Sequence, residues 1–392
     1  MNILIANTQE FNPLIGGVER VSNIIAKILV ERGYKVIFVA SYISRHDLDY
    51  IPNVKQYLLS KELFYNIENS EYYINEFVKI VNDEKIDIVI NQAGNILDFS
   101  NLCFQVKIRT KIKLISNIHI NPDYRLKNLD VFSDLTFYQW LNPKILRKFI
   151  LYPFRKKRIL KKEKSLFNEL YNMSDATVLL SSLYFESFTK ISGIKDNTKL
   201  FSILNPIPFQ VERGKISKKQ ILYVGRIDYS HKRTDRLLKI WSYIYKKHKG
   251  WDLKIVGDGP NLNDLKRLSK KLKLKQISFE GFKDPKKYYN ESQIICLTSN
   301  IEGLPMVMIE AISYGLVPIA FNSFESINDI IFDQINGFLI EPFNYIQFAD
   351  RLSNLMNDES LRKEMSVNAL KTSKKFSVKN IIDQWEILFS RI

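Results

Sequence analysis

One pattern occurs twice in this chain and leaves few folds open to it. An apolar run of strand length leads into a turn containing glycine, and then into a stretch with apolar residues at helical spacing. The first copy is residues 2–6, a loop over 11–17, then Val21, Ile24, Ile25 and Ile28, with a further apolar run at 36–40 beyond Gly33. The second is residues 221–224, then Gly225-Arg226-Ile227-Asp228, then a helix from Thr234 carrying Leu237, Leu238 and Trp241. A run apolar throughout suits a strand covered on both faces, and strand–helix–strand order imposes parallel pairing. Each copy therefore opens a doubly wound, Rossmann-like parallel α/β domain. Further strands are expected at 86–91, 113–118, 176–180, 199–204, 253–256, 277–282 and 294–297. A chain of 392 residues is long enough for two such domains, each with its own core. The boundary is set at 1–205 and 206–375, because Asn205-Pro206-Ile207-Pro208 and the stretch 214–219 read as a linker.

The chemistry gathers after the apolar run 294–297, in Ser299-Asn300-Ile301-Glu302-Gly303-Leu304-Pro305-Met306-Val307-Met308-Ile309-Glu310-Ala311. Gly303 permits a tight turn close to a ligand. Pro305 suits the first position of a helix, where its missing N–H has no helical partner. The amides of Met306 and Val307 then project from the helix start, where the dipole favours an anion. Glu302 precedes that helix and Glu310 lies about a turn and a half inside it. A carboxylate beside a phosphate repels it, so these two need another task. Accepting hydrogen bonds from sugar hydroxyls fits, at roughly 1.5–3 kcal/mol each for a charged acceptor. A phosphate beside polyhydroxylated rings describes a nucleotide sugar. Arg226, just past the strand 221–224, can hold a diphosphate bidentately, and Lys232 adds a point charge. His119 closes the strand 113–118, at the carboxyl end where open α/β sheets bind ligands. Gly257-Asp258-Gly259-Pro260 begins like a dinucleotide fingerprint, but Leu262 holds the third glycine position and excludes it.

Glu302 and Glu310, with seven residues between them, resemble the paired-glutamate motif of family 4 glycosyltransferases, and Gly303-Leu304-Pro305 and Ile309-Glu310-Ala311 fit the same pattern. These are retaining enzymes of the two-domain GT-B fold. The resemblance covers nearly the whole chain, strongest over 224–342 and weakest over 123–170. It implies two facing doubly wound domains, with a C-terminal helix at 376–392 crossing back to the first. For the donor it implies contacts from Gly16 and Gly17 in the first loop, and from Arg226 and Lys232 at the diphosphate. Gly303, Leu304, Pro305, Met306 and Val307 would line the helix start, Glu310 would hold the ribose, and the nucleobase would lie by Phe282. Glu302 and His119 would be the catalytic pair at the sugar, with transfer retaining the anomeric configuration. Uridine diphosphate is the implied carrier. Gly-Asp-Gly-Pro also fits the family, whereas Asn205-Pro206 stands where many members carry Pro-Asn-Gly, and Asn205 is given no role.

Two cations and a helix dipole suffice to neutralise a departing diphosphate, so no metal is expected. The Asp-x-Asp string Asp47-Leu48-Asp49 falls in an early loop far from the proposed site. It keeps open a metal-dependent single-domain transferase, which loss of turnover in chelator would favour. Net charge is +16, and residues 101–164 carry most of it, with sixteen Lys and Arg against four acids. From 141 to 170, basic residues including Arg155, Lys156, Lys157 and Arg158 alternate with Phe149, Ile150, Tyr152 and Phe154. That mixture suits a helix lying on an anionic membrane surface, or the solvated face of an ordinary amphipathic helix. A nucleic-acid-binding protein without enzyme activity is the other alternative. It leaves Arg226, Lys232, Glu302 and Glu310 unexplained and has no recognised binding motif. Residues 1–6 carry no signal segment and no run approaches the ~20 apolar residues of a membrane span. Two cysteines, Cys103 and Cys296, fit a reducing compartment. The expected location is the cytoplasm, peripheral on the inner membrane face, with a lipid-linked glycan as acceptor.

Overall fold

The computed structural model describes residues 1–13, 16–42, 54–59, 70–127, 129, 150–207 and 218–392. Asp47-Leu48-Asp49, the first part of the basic stretch (141–149) and most of the linker (208–217) lie outside them. The chain divides into two compact units. One comprises Met1–Asp123, Pro153–Pro208 and Val378–Ile392; the other comprises Tyr124–Tyr152 and Phe209–Ser377.

In the first unit, strands β1 (Asn2–Gln9), β2 (Lys35–Tyr42), β3 (Lys55–Leu58), β4 (Ile88–Asn91), β5 (Lys113–Ile118), β6 (Ala176–Leu179) and β7 (Leu200–Ser202) form one sheet. Their order is β3-β2-β1-β4-β5-β6-β7, and every pairing is parallel. Helices cover both faces, which is why Ile88–Asn91 and Ala176–Leu179 are buried residue by residue. The helix Gly17–Glu31 buries Val21, Ile25 and Leu29, one residue per turn. Ile24 and Ile28, expected on the same face, sit half-buried on its flank.

In the second unit, β8 (Gln220–Val224), β9 (Asp252–Val256), β10 (Ile277–Gly281), β11 (Ile294–Leu297), β12 (Val317–Phe321) and β13 (Phe338–Ile340) run in the order β10-β9-β8-β11-β12-β13, again all parallel. The chain winds outward one way through β8, β9 and β10, returns to the middle, and winds the other way through β11, β12 and β13. Strand order reverses between β8 and β11 here, and between β1 and β4 in the first unit. Those reversals mark where ligands bind in open parallel sheets, beyond the carboxyl ends of the strands.

The final helix, Val378–Arg391, belongs to the first unit. It buries Ile381, Ile382, Trp385 and Leu388, stacks Phe389 edge-on against Tyr34, and pairs Asp383 with Arg32 at 2.7 Å. Strands β3, β12 and β13 extend the sheets beyond the strands expected above. No helix among the described residues is long and apolar enough to cross a membrane. Cys103 and Cys296 are free and buried, and burial pushes both thiol pKa values up.

Candidate active site

The residues singled out in the second unit converge on the β8/β11 reversal. Arg226 and Lys232 lie in the loop after β8, and Glu302 in the loop after β11. On its other side, the loop after β8 meets the loop after β9 without side chains between them. A Cβ on Gly257 would stand 1.9 Å from the Gly225 carbonyl oxygen, and one on Gly259 would stand 2.3 Å from that of Ile227. The contact is zipped by Gly225 N to Val256 O at 3.0 Å and Ile227 N to Asp258 O at 2.8 Å. Gly257 and Gly259 have φ of +144° and +158°, so their turn needs glycine for conformation as well as for space. This is the physical content of Gly-Asp-Gly-Pro: it braces the Arg226 turn. The Tyr223 hydroxyl donates to the Arg226 carbonyl at 3.0 Å, and the Arg226 side chain is exposed.

Asp228 organises the rest of that loop. Its Oδ1 accepts from the Ser230 hydroxyl at 3.0 Å and from the amides of His231 at 2.7 Å and Lys232 at 3.3 Å. Burial works against its charge, but these hydrogen bonds outweigh it and hold its pKa below the usual value. The loop thereby presents Lys232, whose Nζ donates to both carboxylate oxygens of Glu302, at 2.7 and 2.9 Å. Ser299 Oγ donates to the same carboxylate at 2.7 Å. The cation expected at the diphosphate and the carboxylate expected at the sugar are therefore one ion pair. Its partners are only 21% and 12% exposed, so neither is a solvated surface charge.

Glu302 leads through Gly303, Leu304 and Pro305 into the helix Met306–Ser313. Pro305 is the residue just before the helix and not its first member. Its ψ of 92° is extended, and its carbonyl already accepts the amides of Met308 and Ile309. The amides of Met306 and Val307 have no acceptor within the helix, as at any helix start. Glu310 is buried on the same helix, and its Oε2 accepts from Tyr289 Oη at 2.9 Å. Tyr289 packs on Tyr314 in turn, with centroids 5.4 Å apart. The fully buried Arg236 donates to the Thr298 carbonyl at 3.3 Å and lies 3.8 Å over the Phe343 ring, beneath the strand end. Phe282, just past β10, is 79% exposed, an open aromatic face at the sheet's carboxyl edge.

In the first unit, His119 ends β5 as expected. Its Nε2 lies 2.6 Å from Gln92 Oε1, just past β4, and Asn117 Nδ2 donates to the same oxygen at 3.1 Å. Burial pushes the His119 pKa down to about 4, so the ring is neutral near pH 7, with the Nε2 proton directed at Gln92. Gly16 is extended and Gly17 starts the helix; neither has a positive φ, and a Cβ on Gly17 would meet nothing. A Cβ on Gly16 would stand 2.4 Å from Glu19 Oε2, so Gly16 makes room for that buried side chain, whereas the small size of Gly17 matters to a close ligand or not at all. Asp228, Gln92 and Asn300, which ties the loop after β11 to the carbonyls of His231 and Ser230, were not singled out by sequence. Asp228 carries the signature of an Asx-type turn, a carboxylate ahead of a Ser-His-Lys run. The other two gave no local signal, because their partners are remote in sequence.

Two doubly wound units, one holding paired cations and carboxylates at its strand reversal, define the GT-B architecture. Residues 208–372 match the family described as Glycosyl transferases group 1. An uncharacterized glycosyltransferase of Haemophilus influenzae is 28% identical over 376 residues, 95% of each chain. The GalNAc-alpha-(1->4)-GalNAc-alpha-(1->3)-diNAcBac-PP-undecaprenol alpha-1,4-N-acetyl-D-galactosaminyltransferase of Campylobacter jejuni is 28% identical over 325 residues, 80% of this chain and 77% of that one. The crystal structure of HepE from Anabaena in complex with UDP and glucose shares the fold at a TM-score of 0.74 and 16% identity, over 100% of both chains. The chain is a glycosyltransferase of the GT-B fold, and its resemblance to family 4 is consistent with these matches.

Proposed function

We propose that the protein is a retaining transferase that moves a hexosyl or N-acetylhexosaminyl group from a UDP-sugar to a sugar hydroxyl of a lipid-linked glycan. The carrying observation is the Lys232–Glu302 pair at the β8/β11 reversal, with the helix start of Met306–Ser313 and Glu310 beside it. An ammonium has three donors, and two on Glu302 leave the third for a phosphate oxygen. Lys232, Arg226 and the Met306 and Val307 amides take up the charge that grows on the departing diphosphate, the contribution that usually dominates such catalysis. Glu310 holds the ribose, Glu302 the sugar hydroxyls nearest the anomeric carbon, and neutral His119 orients the sugar. Gly16 and Gly17 leave room for the donor, and Phe282 offers a face to the base. No metal is assigned, because these groups supply the neutralising charge.

The acceptor side rests on the helix Tyr152–Met173. Its buried face, Leu166, Phe167, Leu170 and Tyr171, lies in the second half only. The first half leaves Phe154 at 73% and Leu160 at 41% exposed among Arg155, Lys156, Lys157, Arg158, Lys161 and Lys162. Exposed apolar side chains among cations suit the headgroup region of an anionic cytoplasmic leaflet. The undecaprenol-linked acceptor named for the Campylobacter relative supports the same reading. The test is thermal stabilisation by a panel of nucleotide sugars. A ligand at 100 times its Kd adds ~2.7 kcal/mol, and the reading fails if no uridine diphosphate sugar stabilises the protein.

A further inference from the structure

The short helix Tyr124–Lys127 clusters with the second unit and is held to it through Tyr124 and Lys127. Tyr124 Oη lies 2.5 Å from Nε2 of His231, and the two rings stack with centroids 5.4 Å apart and planes 17° off parallel. Lys127 Nζ donates to both carboxylate oxygens of Glu325, at 2.8 and 3.0 Å. His231 belongs to the loop after β8, and Glu325 to the turn after β12. Those strands are the two sheet neighbours of β11, whose loop carries Glu302. The two anchors thus fall on opposite sides of Glu302.

Both anchor loops are also tied to the residues just ahead of it. On one side, the His231 carbonyl accepts the Asn300 amide at 2.7 Å, and the Ser230 carbonyl accepts Asn300 Nδ2 at 3.0 Å. On the other, Ser323 Oγ donates to the Ser299 carbonyl at 2.8 Å. Ser299 itself donates to Glu302. We propose that Tyr124–Lys127 is a strap across the Glu302 loop, and that Tyr124 and Lys127 are positioning residues. They hold the Lys232–Glu302 pair in the geometry that receives the donor sugar. The proposal rests on the donor-site reading above. Both anchor loops tie to Ser299 and Asn300, just ahead of the Glu302 assigned to the sugar, so the strap acts on the sugar end.

The test uses the full chain as Tyr124→Phe, Lys127→Ala, both together, and Lys127→Arg. UDP affinity is measured by calorimetry. Transfer to water is followed as UDP release from UDP-glucose, UDP-galactose and their N-acetylated counterparts. The double variant is expected to lose at least tenfold in kcat, with UDP affinity within twofold and donor KM within threefold. Lys127→Arg, which keeps the ion pair, should retain at least half of the wild-type kcat. Tyr124→Phe keeps the ring and serves should the double variant not fold; it should lose at least threefold in kcat. Wild-type kcat in folded Tyr124→Phe and Lys127→Ala overturns the strap. So does a kcat loss matched by an equal loss of UDP affinity and not spared in Lys127→Arg. Failure of the wild type to bind UDP or any of the four sugars would overturn the donor site itself, and it shows before any variant is made.

Discussion

Arg226 sits on a braced turn with its side chain in solvent, so removing it takes away a charge and little packing. Arg226→Ala should weaken UDP binding by tenfold or more at an unchanged melting temperature, read by calorimetry and thermal unfolding. The two glutamates should separate. Glu310→Gln should chiefly raise the Kd of UDP. Glu302→Gln should chiefly lower kcat if the proposed contact with the sugar strengthens as charge builds there. If both variants lose only UDP affinity, the division of roles is wrong. His119 makes a pH prediction. Its pKa is 6.5 unperturbed and about 4 in the folded chain. Between those values the unfolded chain binds a proton that the folded one refuses. Stability should therefore fall as pH drops from 6.5 toward 4, by up to about 1.4 kcal/mol per pH unit. His119→Gln should flatten that slope in urea unfolding at pH 7 and pH 5. Arg226, Glu302 and His119 were legible in sequence because each follows an apolar run, and Glu310 because of its spacing from Glu302. Their pairing was not. Lys232 and Glu302 stand 70 residues apart, and nothing local says that one carboxylate holds one ammonium.

At the scale of elements, the site is made of loops whose backbones touch, and glycine sets how closely. Gly257→Ala would place a methyl 1.9 Å from a backbone oxygen at φ +144°, so no side chain can move aside to relieve it. A loss on the order of 3 kcal/mol or more is expected, with UDP affinity falling alongside because the Arg226 turn moves. Gly17→Ala, where a Cβ meets nothing, should be near neutral for folding. Strands buried on both faces announced themselves as continuous apolar runs, and for that reason most of both sheets could be read directly. The start of Met306–Ser313 was misplaced by one residue, since Pro305 can either begin a helix or precede one and only its ψ decides. The strap could not be read at all. Tyr-Arg-Leu-Lys is too short to carry a helical period, and its partners lie 107 and 198 residues away.

For the whole molecule, charge is concentrated rather than spread. Changing Arg155, Lys156, Lys157 and Arg158 together to Ser should cut co-sedimentation with anionic vesicles by more than tenfold, since each cation near such a surface contributes ~1 kcal/mol. High salt should release the wild type as well. Equal pelleting with neutral and anionic vesicles would remove the membrane from the reading.

The helix Val378–Arg391 sets an order of events in the making of this protein. Trp385 is 1% exposed on it, and Trp385→Ala should cost about 3–5 kcal/mol, whereas loss of the partly exposed Arg32 pairs should cost under about 1 kcal/mol. The first unit thus depends on an aromatic anchor encoded some 170 residues downstream of its last strand-bearing segment. During synthesis at about 5–20 residues per second, the ribosome needs roughly 9–34 s to deliver it. Through that interval the amino-terminal sheet waits with the seat of Trp385 uncovered, while the second unit, whose main segment emerges in one stretch, can close first. A released chain ending at Ser377 should therefore bind UDP through its completed second unit, yet leave its first unit open to protease.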